Sequence, residues 1–503
     1  MGPLFLLANY SLAISFRILT LPMSRKIVVA VLWLFSSFVS PQTLPRKTRN
    51  EKDLDAKVAY PAQLQSELIA LRDAALSDDY AYQQVAHITE NIGPRPAGSL
   101  QAEAAVNYVA DELRKLGLDV RLEEVKVARW FRRVDAAELV EYPGQATGTV
   151  QKIVITALGG NAPTPADGIT APVIVVNSFD ELKALGHNKV AGNVVLFNVH
   201  FDHRKVLGGE AFEAYDEAVI YRAKGAKEAA ALGAVGSLVR SIGDADNRIP
   251  HAGGSTKAGI PQGAVSSEDA DLMAHLASQG TVRIHLTLTS ETGADVTSHN
   301  VVADLKGSEH PEDVVIVSGH LDSWDLGRGA IDDAAGVAAA METAELLQKL
   351  HLKPKRTIRV IAWMDEENGG RGHDAYAVAH QGEIARHVAA IESDSGAGHP
   401  MGYRAKIVPA AKPLIKPALD LLAVFGANLL QLTEDSPETD IGPLVDQGIP
   451  GFGIWQDGGR YFQYHHTPAD TLDKIVSQEL RENAAAMAVM GYSLASMPER
   501  LPR

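Results

Sequence analysis

The sequence contains no cysteine among its 503 residues. Disulfide bonds, thiolate nucleophiles and cysteine-ligated metal sites are therefore excluded. Any metal site must be built from nitrogen and oxygen ligands, for which the chain offers 17 histidines and 62 aspartates and glutamates. The chemistry of the protein has to be sought among these side chains.

Positive charge is also scarce. There are 47 lysines and arginines against 62 acidic residues, which gives a formal net charge of −15. So acidic a chain is poorly suited to nucleic acid or to an anionic membrane surface, and we expect neither as a partner. The length is too great for one ordinary hydrophobic core and indicates two or three domains.

Long hydrophobic runs are lacking as well. Residues 27–35 are apolar and follow two basic residues, which is the pattern of a secretory signal and is too short for a membrane-spanning helix. We therefore predict that residues 1–40 are a leader, that no stable membrane span remains after processing, and that the protein is secreted or periplasmic. Residues 1–22 form a second apolar stretch, which translation from Met23 would remove. The alternative is that both stretches together anchor the chain in a membrane.

Four strand-like runs in the second half of the chain are followed by candidate metal ligands. Residues 314–319 form a continuous β-branched run that ends in the small residues Ser318 and Gly319, which is typical of a strand buried on both faces that opens into a loop. Similar runs occupy residues 357–364, 387–391 and 451–455. Sites in open α/β sheets form outside the carboxyl ends of the strands, so we expect the residues after these runs to converge. In chain order, these residues are His320, Asp332, Glu367, Asp394 and His466.

The number of these ligands indicates two metal ions. A single catalytic zinc ion normally uses three protein ligands and water, whereas two histidines and three carboxylates are present here. We predict two zinc ions per chain, with Asp332 as the bridging ligand. His320 and Asp394 would complete one site, and Glu367 and His466 would complete the other.

Two further carboxylates adjoin these ligands. Glu366 precedes a ligand without being needed as one, so it is placed to take the proton of the attacking water as general base. Asp322 lies on the same side of an extended chain as His320 and would hydrogen-bond the second ring nitrogen of that ligand. A plain strand-end turn remains the alternative role for Asp322.

The motifs together resemble those of the co-catalytic zinc exopeptidases, a family of secreted aminopeptidases and glutamate carboxypeptidases, and most closely its carboxypeptidase Q branch. The resemblance implies an α/β fold with a mixed, mostly parallel central sheet flanked by helices. It also implies an inserted, smaller, β-rich protease-associated domain, a homodimer and a cis peptide between Asp332 and Asp333. The stretches that carry it are residues 91–99, 320–325, 329–333, 366–367, 392–396 and 465–467.

The domain layout follows from these motifs. We predict the first part of a catalytic domain at residues 41–165, the inserted domain at residues 166–280, and the second part of the catalytic domain, with the two metal ions, at residues 281–503. The insert is expected to shape or cover the cleft.

The predicted function is zinc-dependent hydrolysis of dipeptides or of terminal residues of short peptides. Asp440, Tyr464 and His465 are candidate contacts of the peptide substrate, although Asp440 could also be a simple turn residue. His465 is expected to point away from the ligand His466 on an extended chain. Three alternatives stay open: an aminopeptidase acting on longer peptides, a one-zinc acyl transferase of the glutaminyl cyclase type, and a catalytically silent receptor-like module.

Overall fold

The computed structural model describes residues 59–243 and 247–503. The predicted leader, residues 1–40, lies outside the described residues. A search of the described helices for one with the length and apolar character needed to cross a bilayer finds none.

The described residues form strands and α-helices, and each kind is numbered along the chain. The strands are β1 (Asp119–Phe131), β2 (Asp135–Glu141), β3 (Gln151–Ile153), β4 (Ile155–Ala157), β5 (Ile169–Val176), β6 (Val194–Phe197), β7 (Gly236–Arg240), β8 (Gln262–Val265), β9 (Arg283–Leu288), β10 (Glu291–Leu305), β11 (His310–His320), β12 (Arg356–Trp363), β13 (His387–Glu392), β14 (Pro400–Lys406), β15 (Leu429–Leu432) and β16 (Gly451–Gln456). The helices are α1 (Ala62–Ala75), α2 (Tyr80–Ala86), α3 (Leu100–Lys115), α4 (Phe179–Leu185), α5 (His187–Val190), α6 (His203–Leu207), α7 (Ala211–Ala231), α8 (Ser267–Gln279), α9 (Ala335–Lys349), α10 (Arg371–Ala379), α11 (Lys412–Leu422), α12 (Gly442–Val445), α13 (Tyr461–Tyr464) and α14 (Ser477–Ser496).

The central sheet has eight strands in the order β1-β10-β12-β11-β13-β16-β14-β15. β11 runs parallel to both of its neighbours, β12 and β13, and β13 runs parallel to β16. β14 and β15 are also parallel, whereas the pairs β1–β10, β10–β12 and β14–β16 are antiparallel. The predicted fold class, a mixed and mostly parallel sheet flanked by helices, is confirmed.

The middle of this sheet is covered on both faces. Along β11, Val315 and Val317 belong to the large core that also contains the buried faces of α9 and α14. The alternate residues Val314 and Ile316 belong to a second core with Trp363, on the other face. A strand buried on both sides has no solvent face for polar residues, which explains the unbroken apolar run in the sequence.

A second sheet of eight strands has the order β3-β2-β9-β5-β6-β7-β8-β4. It includes three strands that precede residue 166, and its strand β9 follows residue 280. β2 and β9 pair antiparallel across the whole intervening segment. The limits of this sheet therefore differ from those expected for the insert, and the division into domains stays a prediction.

Glu342 in α9 gives the fold a pH-dependent element. Its side chain is fully buried, and Oε2 accepts the amide hydrogen of Ala81 at 3.0 Å while Oε1 has no partner. Burial raises the pKa of Glu342 to about 8, the Ala81 amide opposes this shift, and the negative charge of Asp78 adds to it. The folded protein therefore favours the protonated carboxyl, so stability from this group is fully present below about pH 4.5 and is lost as the pH rises to about 8.

We expect Glu342→Gln to raise the free energy of unfolding at pH 8 by about 1–3 kcal/mol relative to the wild-type protein, because the amide never ionises. At pH 5 the difference between the two proteins should be much smaller. Denaturant unfolding at both pH values measures this, with the exposed Glu103→Gln as control. An equal difference at both pH values would show that ionisation of Glu342 is not the cause.

Candidate metal centre

Four strands deliver polar side chains to one edge of the central sheet. β11 ends at His320, β12 ends shortly before Glu366 and Glu367, and β13 ends shortly before Asp394. β16 leads through the short helix α13 to His466. Because β12, β11, β13 and β16 are successive parallel strands, their carboxyl ends lie at the same edge.

His320, Asp332 and Asp394 form one group of donor atoms at this edge. Nε2 of His320 lies 3.0 Å from Oδ1 of Asp332 and 3.1 Å from Oδ1 of Asp394. The ring of His320 is fully buried. These are the three residues that the sequence assigns to the first metal site.

His466, Glu367 and Asp332 form the second group. Nε2 of His466 lies 3.0 Å from Oε2 of Glu367 and 3.1 Å from Oδ2 of Asp332. Asp332 therefore approaches both histidines, one with each carboxylate oxygen. This is the arrangement that a ligand shared by two ions requires.

The donor atoms of both groups fit a pair of divalent ions. Oδ2 of Asp332 is buried without a hydrogen bond, although a histidine nitrogen is 3.1 Å away. Oε1 of Glu367 and Nδ1 of His466 are also buried without partners. Buried polar atoms without partners are costly, and imidazole nitrogen with carboxylate oxygen is a donor set that suits zinc.

The pKa values of these groups reflect strong mutual attraction. Burial lowers the pKa of His320, but the charge of Asp394 and the hydrogen bond of Asp332 raise it well above its usual value. His466 behaves likewise, with Glu367 as the main opposing charge. Burial raises the pKa of Asp394 to about 6, whereas for Asp332 the adjacent imidazoles of His320 and His466 outweigh burial and lower its pKa strongly. The carboxylates thus need positive charge beside them.

Asp332 is held by the turn that precedes α9. The peptide bond between Asp332 and Asp333 is cis, as the resemblance implies. The carboxylate of Asp333 accepts the amide hydrogen of His320 at 3.0 Å and another from the first turn of α9 at 2.9 Å. Asp470 accepts two successive amide hydrogens just before Asp332, each at 2.8 Å. The bridge position is therefore fixed from both sides.

Asp322 supports the turn after β12. Its Oδ1 accepts the amide hydrogens of Asp365 at 2.8 Å and of Glu366 at 3.2 Å. Nδ1 of His320 lies 3.0 Å from the backbone carbonyl oxygen of Asp322 and 4.0 Å from its carboxylate. The ring partner is thus the backbone carbonyl of Asp322 and not its carboxylate, whose Oδ1 accepts from two amides and whose Oδ2 is buried without a partner.

A cavity of about 790 Å³ opens beside both groups. Glu366 lines this cavity together with Asp332, Glu367, Asp394 and His466. Burial raises the pKa of Glu366 well above its usual value, and the charge of Asp394 adds to the shift. A carboxylate with a raised pKa accepts a proton at neutral pH more readily than an ordinary one.

Asp440 is turned away from the cavity. It is 1% exposed, and its Oδ1 lies 2.7 Å from Nδ1 of His373. Glu438 and Thr439 of the same loop line the cavity, whereas Asp440 is not among the described residues that do so. The carboxylate of Asp440 is therefore engaged by a histidine of α10, and its contact with the substrate stays a prediction.

Tyr464 also faces away from the main cavity. It lines a separate small cavity together with Lys474, whose Nζ lies 5.1 Å from the centre of the tyrosine ring. Tyr461, one turn earlier in α13, lines the main cavity instead, and a contact of Tyr464 with the substrate stays a prediction.

His465 does line the main cavity. Its ring stacks on that of His466 with centroids 3.6 Å apart, and its Nε2 lies 3.6 Å from Oδ2 of Asp332. The backbone of His466 has a φ of 60°, so the chain turns sharply here. The expectation that His465 points away from the ligands is therefore wrong, since it assumed an extended chain.

Arg95 has a role that sequence reasoning misses, although it lies in the motif at residues 91–99. Its side chain is fully buried. Its guanidinium donates to the carbonyl oxygens of Leu321 at 2.8 Å, Arg328 at 2.6 Å and Gly329 at 3.0 Å. Arg95 therefore ties the end of β11 to the loop that leads to Asp332. An arginine in a glycine- and proline-rich loop is a signal, but these acceptors lie more than 200 positions away along the chain.

We expect Arg95→Met to lower the free energy of unfolding by about 3–5 kcal/mol, because the buried carbonyl groups of Leu321 and Gly329 and the partly buried one of Arg328 lose charged hydrogen-bond donors. The measurement is denaturant unfolding of metal-free protein, so that zinc binding does not contribute. The control is Arg114→Met on α3, whose half-exposed side chain pairs with exposed Asp111. Equal stability of the two variants would contradict a structural role for Arg95.

Comparison with known proteins places this geometry in a family. Residues 300–490 match the sequence profile of peptidase family M28. Carboxypeptidase Q from Mus musculus is 34% identical over 463 residues, which cover 90% of this chain and 94% of that protein. The crystal structure of a peptidase M28 precursor from Shewanella amazonensis has a TM-score of 0.81 and 35% identity, covering 88% of this chain and 98% of that one.

A third similarity is more distant. The zinc aminopeptidase BSAP from Bacillus subtilis has a TM-score of 0.60 at 22% identity and covers 83% of this chain and 95% of its own, which shows a shared fold. The similarity to carboxypeptidase Q, by contrast, extends over nearly the full length of both proteins at more than 30% identity. The resemblance deduced from the motifs is thereby confirmed, and this chain belongs to peptidase family M28, as a relative of carboxypeptidase Q.

Proposed function

We propose that the protein is a zinc-dependent exopeptidase that hydrolyses dipeptides or terminal residues of short peptides, in the manner that the name carboxypeptidase Q indicates for its relatives. The observation that carries this proposal is one cavity lined by Glu366 and by four of the five predicted ligands, with His320 buried behind them against Asp332 and Asp394. Glu366 forms no ion pair with either histidine of the centre and stands beside a set of ligands that is complete without it. A module that only binds peptides would have no use for such a carboxylate.

The residues divide the chemistry between them. His320, Asp332 and Asp394 would hold one zinc ion, and Asp332, Glu367 and His466 the other. Zinc at these positions would polarise the scissile carbonyl and make water a stronger nucleophile at neutral pH.

Glu366 then performs the proton transfers. It takes a proton from the attacking water as the new carbon–oxygen bond forms, and it returns that proton to the leaving amine as the peptide bond breaks. Asp322 holds the backbone amide of Glu366 in place. This hydrogen bond therefore fixes the backbone of Glu366, from which the side chain that transfers the proton extends.

An aminopeptidase is the second candidate, and Glu438 is the observation that favours it. Its carboxylate lines the cavity and accepts a hydrogen bond from Ser395 at 3.2 Å. Burial raises the pKa of Glu438 well above its usual value, and the charge of Asp394 adds to the shift. The charge of Arg404 opposes this shift only in part, and a free amino terminus would add further positive charge here. An acyl transferase of the glutaminyl cyclase type would use one zinc ion, and some of the five predicted ligands would then bind no metal.

The second sheet is proposed to be the protease-associated domain of the family. Phe212, Tyr215 and Arg222 of α7 line the cavity opposite the residues of the central sheet. This layer thereby supplies a wall of the cleft. The basic and apolar residues before position 36 favour secretion, and mass spectrometry of the mature chain would find its first residue. The homodimer implied by the resemblance would be checked by light scattering.

The test is hydrolysis of one dipeptide in four forms by the zinc-loaded protein: free, amino-terminally acetylated, carboxy-terminally amidated and doubly blocked. The proposed function predicts rapid hydrolysis of the free form and none of the doubly blocked form. Slow hydrolysis of the acetylated form alone would favour the aminopeptidase reading. Failure to hydrolyse any form would overturn the proposal.

A further inference from the structure

The wall of the main cavity carries more acidic than basic side chains. Among the described residues that line it, the arginines are Arg222 and Arg404, and none is a lysine. Nε of Arg404 is also buried without a partner, but its guanidinium already lies 3.9 Å from the carboxylate of Glu213 and 5.0 Å from the ring of Phe212. Arg222 is thus the cation that an anionic group in the cavity could meet.

Arg222 is buried without a compensating charge. It is 7% exposed, and it forms no ion pair with any of the described residues. Nη2 donates to the hydroxyl of Tyr215 at 2.8 Å and Nη1 to the carbonyl oxygen of Ala252 at 3.3 Å. Nε has no hydrogen-bond partner. A buried cation with open donors is costly, which indicates an acceptor that arrives with a ligand.

The loop at residues 251–255 holds this arginine in one position. A Cβ on Gly253 would lie 2.4 Å from Cζ of Arg222, so the backbone of the loop lies directly against the guanidinium. The hydroxyl of Ser255 donates to the carbonyl oxygen of Arg222 at 2.8 Å. A cation fixed in advance loses little conformational entropy when an anion binds.

The same loop places Arg222 on one side of the metal centre. The amide of Ala252 donates to the carbonyl oxygen of His466 at 2.9 Å. The ring of Tyr215, which receives the hydrogen bond of Arg222, lies edge-on to the ring of His465 at 5.4 Å. Arg222 therefore stands beside the group that contains His466.

The acidic part of the cavity adjoins the other group. Glu438 is hydrogen-bonded to Ser395, which directly follows Asp394. A short substrate lying across the centre would meet a carboxylate near Asp394 and a guanidinium near His466.

We infer that Arg222 binds the free α-carboxylate of the substrate, directly after the scissile bond. This inference rests on the proposed function. It adds the orientation of the bound peptide in the cavity and the number of residues after the scissile bond, which is one. The carboxylate would accept hydrogen bonds from the open donors of the guanidinium, a charge-assisted pairing for which arginine is well shaped. Substrates are then dipeptides and peptides cut at their last bond, and a carboxy-terminal amide is a poor substitute.

The test compares a free dipeptide with its carboxy-terminal amide in the zinc-loaded wild-type protein and in Arg222→Met. The wild-type protein should prefer the free dipeptide by about 100-fold in kcat/KM, as expected for one buried charge pair. In Arg222→Met this preference should fall to near one, mainly through a raised KM, and Arg222→Lys should restore part of it. If Arg222 only supported Tyr215 and the loop, both substrates would lose activity equally and the preference would persist, which would overturn the inference.

Two further measurements keep the outcome clear. Arg204→Met, in the same layer, removes a strongly exposed arginine that pairs with Asp202, and it should retain the full preference. Calorimetry with the inactive variant Glu366→Gln should show tight binding of the free dipeptide that disappears in the double variant with Arg222→Met. Hydrolysis of neither substrate by the wild-type protein would refute the proposed function, whereas hydrolysis of both at equal rates would refute the role of Arg222 alone.

Discussion

Glu366→Gln should hydrolyse peptides about 10³-fold more slowly than the wild-type protein, which is the scale of a lost general base. The amide keeps the size of the side chain and its place in the cavity but cannot accept the proton of the attacking water. Glu366 forms no ion pair with either histidine of the centre, although the charge of His320 acts on its pKa, and neither ligand set needs it, so the variant should bind the same amount of zinc. Steady-state kinetics and elemental analysis of the same sample measure both properties.

The control for this variant is Glu103→Gln, an exposed glutamate in the first turn of α3. It should match the wild-type protein in rate and zinc content. Turnover by Glu366→Gln within tenfold of the wild-type rate would show that another group takes the proton. A loss of zinc would instead make Glu366 a ligand.

Asp332→Ala should lose both zinc ions and all measurable activity. Asp332 is the residue whose two oxygens approach His320 and His466 at 3.0 and 3.1 Å, so its removal takes a ligand from each site. Loss of a ligand of either site alone, as in Asp394→Ala, should leave the other ligand set intact. Elemental analysis should therefore give about two, one and no zinc ions for the wild-type protein, Asp394→Ala and Asp332→Ala.

The matched control is Asp111→Asn, because Asp111 is exposed and pairs with Arg114 on α3. It should keep both ions. If Asp332→Ala retained one ion as firmly as Asp394→Ala does, Asp332 would belong to a single site and the bridging assignment would fail.

Much of the metal centre could be predicted because strand ends carry its ligands. The run at residues 314–319 is buried on both faces, which is the pattern of a central strand. Once β11, β12, β13 and β16 are parallel neighbours, His320, Asp394 and their partners have to meet at one edge. Local sequence and the rule for parallel sheets were sufficient for this part.

Residues in turns could not be placed in the same way. The direction of His465 depends on the positive φ of His466, and nothing in the sequence around them requires that conformation. The carboxylate of Asp440 is hydrogen-bonded to His373, which lies 67 positions earlier. The position of the helix that carries His373 is decided only by the tertiary fold. Side chains in such turns follow from their distant partners more than from their own sequence.

The contribution of the second sheet was the hardest part to foresee. β2 and β9 both alternate in burial, but their pairing joins segments on either side of the whole insert. Arg222 lies on a helix that is alanine-rich and otherwise unremarkable in sequence. Its relation to the cavity depends on the loop that carries Gly253 and on contacts with His466. Sequence patterns describe each of these elements singly, whereas the site depends on how they are brought together.

The central claim is that five side chains hold two divalent ions around Asp332. The most direct test is the number of zinc ions per chain in purified, active protein, measured by elemental analysis and by mass spectrometry of the intact native protein. The account predicts two ions per chain, loss of activity when a chelator removes them, and recovery when zinc is restored. Full activity with one ion or with none would contradict it.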